Sequence, residues 1–163
     1  MGLISFIKEA GEKLFGSKPE VAAAVAEPTN PAKTAAANAA VSESIGKYLV
    51  AHGLPADGLT ITFNGSDHVV TVAGAVANQE IREKIIVSCG NVQGVAGVAD
   101  EMTCPEVPES TYHTVESGDT LSAVAKKAYG NANLYPKIFE ANKPMLSSPD
   151  KIYPGQVLRI PPQ

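Results

Sequence analysis

Apolar and polar positions recur along this chain with two different periods, and the changes of period divide it into segments. Leu3, Phe6, Ile7, Ala10 and Leu14 lie three and four apart, with Lys8, Glu9, Glu12 and Lys13 between them; this predicts an amphipathic helix over 3–15, ended by Gly16. Over 17–40 the pattern dissolves into alanines with Pro19, Pro28 and Pro31, the composition of a linker. A compact pattern begins near 41. Ser42 or Ser44 can cap a helix carrying Ile45, Tyr48, Leu49 and His52, closed by Gly53. Leu59–Phe63 alternates as a half-buried strand, Asn64-Gly65 signals a turn, and His68–Ala73 predicts a second strand. Asn78 caps a helix running to Ser88, with Ile81 and Ile85 inward. A glycine-rich connection over 90–95 then leads to a third strand, Val98–Thr103. The order helix, strand, strand, helix, strand predicts an α+β unit with helices on one face of a small sheet.

Pro105 and Pro108 interrupt the chain before a second unit. Tyr112–Val115 reads as a strand, and the turn Ser117-Gly118-Asp119-Thr120 leads into a helix with Asp119 at its N-cap. That helix carries Leu121, Val124, Ala125 and Ala128; a further helix spans about Asn133 to Asn142, and Val157–Ile160 is a closing strand. The expected organisation is therefore an N-terminal helix over 1–16, a linker over 17–40, an α-β-β-α-β domain over 41–104, a linker over 105–110 and a β-α-α-β domain over 111–163.

Charge removes several function classes. Lys and Arg total 13 against 17 Asp and Glu, a formal net charge of −4 with no basic run, which argues against a nucleic-acid partner. No window of eighteen apolar residues is long enough to span a membrane. Lys8, Glu9, Glu12, Lys13, Lys18 and Glu20 interrupt any signal-peptide core, and Phe6 breaks the myristoylation pattern, so a cytoplasmic protein is expected. Cys89 and Cys104 match no zinc spacing and are expected as reduced thiols. His52, His68 and His113 have no evident partner, and no phosphate loop, dinucleotide fingerprint or EF-hand is present, so no enzymatic activity is expected.

The second unit resembles LysM domains through Tyr112-His113-Thr114-Val115, Ser117-Gly118-Asp119-Thr120-Leu121, Tyr129-Gly130, Ala141-Asn142 and the run from Ile152 to Pro161. The first resembles BON domains through Val72-Ala73-Gly74 and through Gly94-Val95 with Val98. Together, preceded by Met1-Gly2-Leu3 and by the segment from Lys8 to Leu14, they resemble the Kbp family of small cytoplasmic potassium-binding proteins of bacteria.

A potassium site leaves no side-chain motif, because K⁺ is selected by converging backbone carbonyls, whereas carboxylate clusters favour Ca²⁺ or Mg²⁺. Carbonyls not spent on hydrogen bonds are expected at helix C-termini. Two stretches qualify: Ile7–Glu12, where Gly11 can loosen a helix, and Cys89–Val95, where a helix ends in glycines. The ordinary structural reading of Gly90 is a C-cap and of Gly94 a turn residue. The resemblance implies K⁺ ligands among the carbonyls of Ile7, Ala10 and Glu12, and of Gly90, Val92 and Val95. For the LysM-like unit it implies binding of N-acetylglucosamine-containing glycans in a groove between 118–121 and 148–153, with Gly118, Asp119, Thr120, Leu121, Ile152 and Tyr153 as candidates. The ordinary alternative is that this unit only packs against the first. Potassium binding and sensing by a soluble monomer is the leading expectation; a glycan-binding envelope protein is the alternative from another class.

Overall fold

The computed structural model describes residues 2–5, 31–105 and 109–163. The first unit is a four-stranded sheet in the order β1-β4-β3-β2, where β1 is Gly2–Ser5, β2 Thr60–Asn64, β3 Val69–Ala75 and β4 Gly97–Thr103. β2 and β3 form an antiparallel hairpin, β3 and β4 run parallel, and β1 adds to β4 antiparallel. The parallel step needs a crossover, and α2 (Gln79–Gly90) supplies it. α1 is Pro31–Ala51. Strand β3 alternates as the sequence does, burying Val70 and Val72. Against them pack Val41, Ile45 and Leu49 of α1, Ile85, Ile86 and Cys89 of α2, and Val98 and Met102 of β4. Burial pushes the Cys89 thiol up to about 12, which leaves it a space-filling apolar group at neutral pH.

Two expectations about the N-terminal part are corrected. The helix expected from residue 3 begins instead as strand β1, with Leu3 opposite Ala99 and Ile4 opposite Val98. The outer edge of β4 offers a row of main-chain donors and acceptors, and a short Leu-Ile-Ser run is compatible with either period. The rest of the expected helix, and linker residues 17–30, lie outside the described residues. The linker expected to reach residue 40 ends by Pro31, which opens a helix of 21 residues. Proline is favoured at the first helical position, and alanine carries the highest intrinsic helix propensity. Ala37 and Val41 then join Ile45 and Leu49 on one buried stripe.

The serines expected as helix caps lie inside α1. Ser42 Oγ donates to the Asn38 carbonyl at 2.7 Å and accepts the Phe63 N–H at 2.9 Å, while Asn38 Oδ1 accepts the Gly65 N–H at 3.2 Å. These polar groups fasten α1 to β2 and to the turn after it.

The second unit pairs β5 (Thr111–Thr114) with β6 (Val157–Ile160), with α3 (Leu121–Tyr129), a 3₁₀ turn (Ala132–Leu134) and α4 (Tyr135–Ala141) between them. Val115, Leu121, Val124, Ala125, Ile138, Leu146, Leu158 and Ile160 form its core. The helix expected from Asn133 is divided: the 3₁₀ turn comes first, and α4 starts beside Pro136, whose ring fits a helix start but not a helix interior. The fold is α+β throughout.

Candidate functional site

The geometry of the turn after α2 begins at the helix's own start. Asn78 Oδ1 accepts the Ile81 N–H at 2.9 Å, fixing the N-terminus, and Glu80 pairs with Lys84 one turn on at 2.7 Å. The helix ends at Gly90, and Asn91 follows with φ −85° and ψ 13°, its N–H on the Val87 carbonyl at 3.0 Å. The Val92 N–H reaches the Cys89 carbonyl at 3.3 Å, and the Val95 N–H reaches the Val92 carbonyl at 3.1 Å. Gly94, at φ +99°, supplies the backbone conformation that lets the chain turn back into β4. Gly90, Asn91, Val92 and Val95 are all buried.

This turn has oxygen atoms to offer. Among the described residues no backbone N–H donates to the carbonyls of Gly90 or Val95. Among the described residues the Val92 carbonyl accepts one backbone bond, from the Val95 N–H, and a carbonyl oxygen has two lone pairs. The carbonyls lie at the end of α2, where the helix dipole places partial negative charge. Among the described residues no three His, Cys, Asp or Glu side chains converge on a metal position. What the turn presents is neutral dipoles, which suits a large, weakly hydrated monovalent cation better than Ca²⁺ or Mg²⁺. Ile7, Ala10 and Glu12 lie outside the described residues.

α2 is also fastened to the second unit at two points. Toward its start, Glu83, 1% exposed, receives the Ser110 N–H at 2.7 Å and Gln79 Nε2 at 2.8 Å, and forms a buried ion pair with Arg159 Nε of β6. Burial would raise the Glu83 carboxyl, but the hydrogen bonds from Ser110, Arg159 and Gln79 outweigh it and hold the group below the usual carboxylate range. At its end, Asn91 Nδ2 donates to the Val157 carbonyl at 2.7 Å, and Asn91 Oδ1 accepts the Val157 N–H at 2.7 Å. Val157 itself packs into the core of the first unit. Sequence reasoning missed Glu83, Asn91 and Arg159. The available signals were a carboxylate between Ile81 and Ile85, and an arginine among Val157, Leu158 and Ile160.

In the second unit, Asp119, Thr120, Leu121 and Ile152 line a cleft of about 330 Å³ together with Tyr135 and Asp150; Gly118 and Tyr153 are not part of its wall. The cap of α3 is Thr120, whose Oγ1 accepts the Ala123 N–H at 3.1 Å, and not Asp119 as the sequence predicts. Asp119 pins the preceding turn instead, accepting the Glu116 N–H at 3.0 Å and bonding His113 Nε2 at 2.9 Å. Both bonds lower its pKa. His113 therefore does have a partner, and His52 has one as well, its Nδ1 lying 2.9 Å from the Tyr48 carbonyl.

Comparison with known proteins places these features in a family. Over 162 residues, covering 99% of both chains, 48% of positions are identical to the potassium binding protein Kbp of Escherichia coli. The chain belongs to the Kbp family. The BON domain model matches residues 37–105 and the LysM domain model residues 113–161. The BON match opens at Ala37, inside the stretch that composition alone marks as linker and within α1 of the fold. A protein of Deinococcus radiodurans is 38% identical over 109 residues, 59% of this chain and 42% of its own length. An esterase of Mycobacterium tuberculosis is 48% identical over 54 residues, a third of this chain but only 11% of the esterase, too little to carry the esterase's chemistry across. No described helix is long and apolar enough to cross a membrane.

Proposed function

We propose that this protein binds potassium in the cytoplasm, acting as a monomeric ion sensor and not as an enzyme. The ion is held by main-chain carbonyls of Ile7, Ala10 and Glu12 from the N-terminal segment and of Gly90, Val92 and Val95 from the turn after α2. The observation that carries this reading is that turn: Gly90, Asn91, Val92 and Val95 are buried, and no backbone N–H of the described residues takes the carbonyls of Gly90 and Val95. The reading is further supported by a relative matching nearly the whole chain that is a potassium binding protein.

The physics follows from the ligand type. Carbonyl dipoles replace the hydration shell of K⁺ without the desolvation cost of a carboxylate. Without the ion, two groups of carbonyls turn partial negative charge toward one another; with it, the repulsion becomes attraction. Binding then fastens the part of the N-terminal segment that follows β1 against the first unit, and the entropy of that ordering keeps the affinity modest. Calorimetry with KCl and NaCl, on the intact chain and on residues 17–163, tests this. Saturable heat is expected for KCl with the intact chain only. Equal K⁺ affinity in the truncated chain would exclude ligands from the first sixteen residues.

A second reading rests on the cleft beside Asp119, Thr120, Leu121 and Ile152. The hydroxyls of Thr120 and Tyr135, the apolar sides of Leu121 and Ile152 and the carboxylates of Asp119 and Asp150 line it, groups able to hold the hydroxyls and acetamides of an N-acetylglucosamine-containing glycan, the ligand class expected of LysM domains. Cell fractionation separates the two: recovery from the cytosol favours the ion, recovery from the envelope favours the glycan.

A further inference from the structure

The outer edge of β6 is closed in an uncommon way. The Val115 N–H donates to the Gln156 carbonyl at 2.8 Å, so by alternation along the antiparallel pair Leu158 and Ile160 turn their main-chain groups to β5 and those of Val157 and Arg159 point to the other side. Side-chain amides fill that side. Asn142 Oδ1 accepts the Arg159 N–H at 2.7 Å and its Nδ2 donates to the Arg159 carbonyl at 2.8 Å. Asn91 does the same to Val157, with both bonds at 2.7 Å. Each amide replaces one residue of a missing neighbouring strand. Asn142 comes from the same unit as β6, whereas Asn91 comes from the other unit and immediately follows Gly90.

We infer that Asn91 is the positioning residue of the potassium site, fixing the carbonyl turn against β6 and thereby setting its preference for K⁺ over Na⁺; this rests on the potassium reading above. The Gly90 carbonyl belongs to the peptide plane that ends at the Asn91 Cα, so whatever fixes Asn91 fixes the direction of that oxygen. Asn91 is 3% exposed, and its amide is fully engaged, with Nδ2 also 3.2 Å from Met145 Sδ. A rotation of this residue breaks two buried hydrogen bonds at once. The turn is therefore held at one end, and on a cavity-size account of selectivity carbonyls held this way disfavour the smaller Na⁺.

Asn142 provides the control, since it makes the same kind of bracket on the same strand edge without adjoining the turn. Calorimetry of the intact chain is expected to give tenfold or greater loss of K⁺ affinity for Asn91→Ala, with the K⁺/Na⁺ preference reduced several-fold. Asn142→Ala, though less stable, keeps both values. Linkage adds a measurement that needs no variant: an ion favoured by the bracket must strengthen the bracket. Exchange of the Asn91 side-chain amide protons in the unmodified protein should slow on adding KCl, with Asn142 unaffected. Failure of the unmodified protein to bind K⁺ removes the potassium reading itself. If it binds, the positioning role is overturned by an unchanged K⁺/Na⁺ ratio in Asn91→Ala or, should that variant not fold, by unchanged Asn91 amide exchange.

Discussion

Glu83 concentrates the energetics of the interface in one side chain. It is 1% exposed and holds Arg159, itself 7% exposed, across the two units. Removing one partner of such a pair leaves the other charge buried and uncompensated, at a cost of about 3–5 kcal/mol. Glu83→Gln should therefore lower the unfolding free energy at pH 7 by about 3 kcal/mol or more, read from denaturant curves. The pH dependence has a definite sign. The folded pKa is depressed, so the unfolded chain takes up the proton first as pH falls. The stabilisation is complete above the ordinary glutamate value of about 4.3 and is lost as pH drops through the lower folded value. Glu83→Gln should flatten that acid-side loss; an unchanged acid slope would mean that the pair contributes nothing. Of these residues the sequence exposes the type but not the pairing, because Glu83 and Arg159 lie 76 positions apart.

At the scale of elements, period-two alternation made β2 legible, the strands expected over 68–73 and 98–103 lie within or beside β3 and β4, and the Asn78 cap made the start of α2 legible. What remained hidden had local signals that compete. Residues 31–40 are alanine-rich, which serves a linker or a helix equally until packing decides. Leu3-Ile4-Ser5 became a strand because β4 presented a free edge, a tertiary circumstance with no local trace. Gly74 shows how a strand end is constrained. Its φ is +132°, and a Cβ there would come within 2.7 Å of the Gly58 carbonyl oxygen, a backbone atom unable to yield cheaply. Gly74→Ala is expected to cost about 1–3 kcal/mol. Gly46 in α1, where a Cβ would lie 3.8 Å from Ile61 Cδ1, has room; Gly46→Ala should stabilise by roughly 0.5–1 kcal/mol. Thermal unfolding of the two variants decides this, and equal effects would contradict the steric account.

At the scale of the molecule, the two units are joined through α2. Glu83 and Asn91 grip β6 from points eight residues apart, about 12 Å along a helix of standard rise. The candidate carbonyl turn is the continuation of that helix, so the proposed ion site and the contact between the units share one element. The resemblance to the family was legible in the second unit's motifs and, in the first, in Val72-Ala73-Gly74 and in Gly94-Val95 with Val98, while the coupling between units was not, since it depends on buried polar pairs distant in sequence. The central claim is that K⁺ sits on the carbonyls of that turn. Its most direct test is the amide spectrum of the intact protein titrated with KCl, and separately with NaCl at equal ionic strength. The account predicts saturable shifts centred on Gly90 to Ala96 with KCl and none there with NaCl. Shifts absent from that turn, or equal for the two salts, would contradict it.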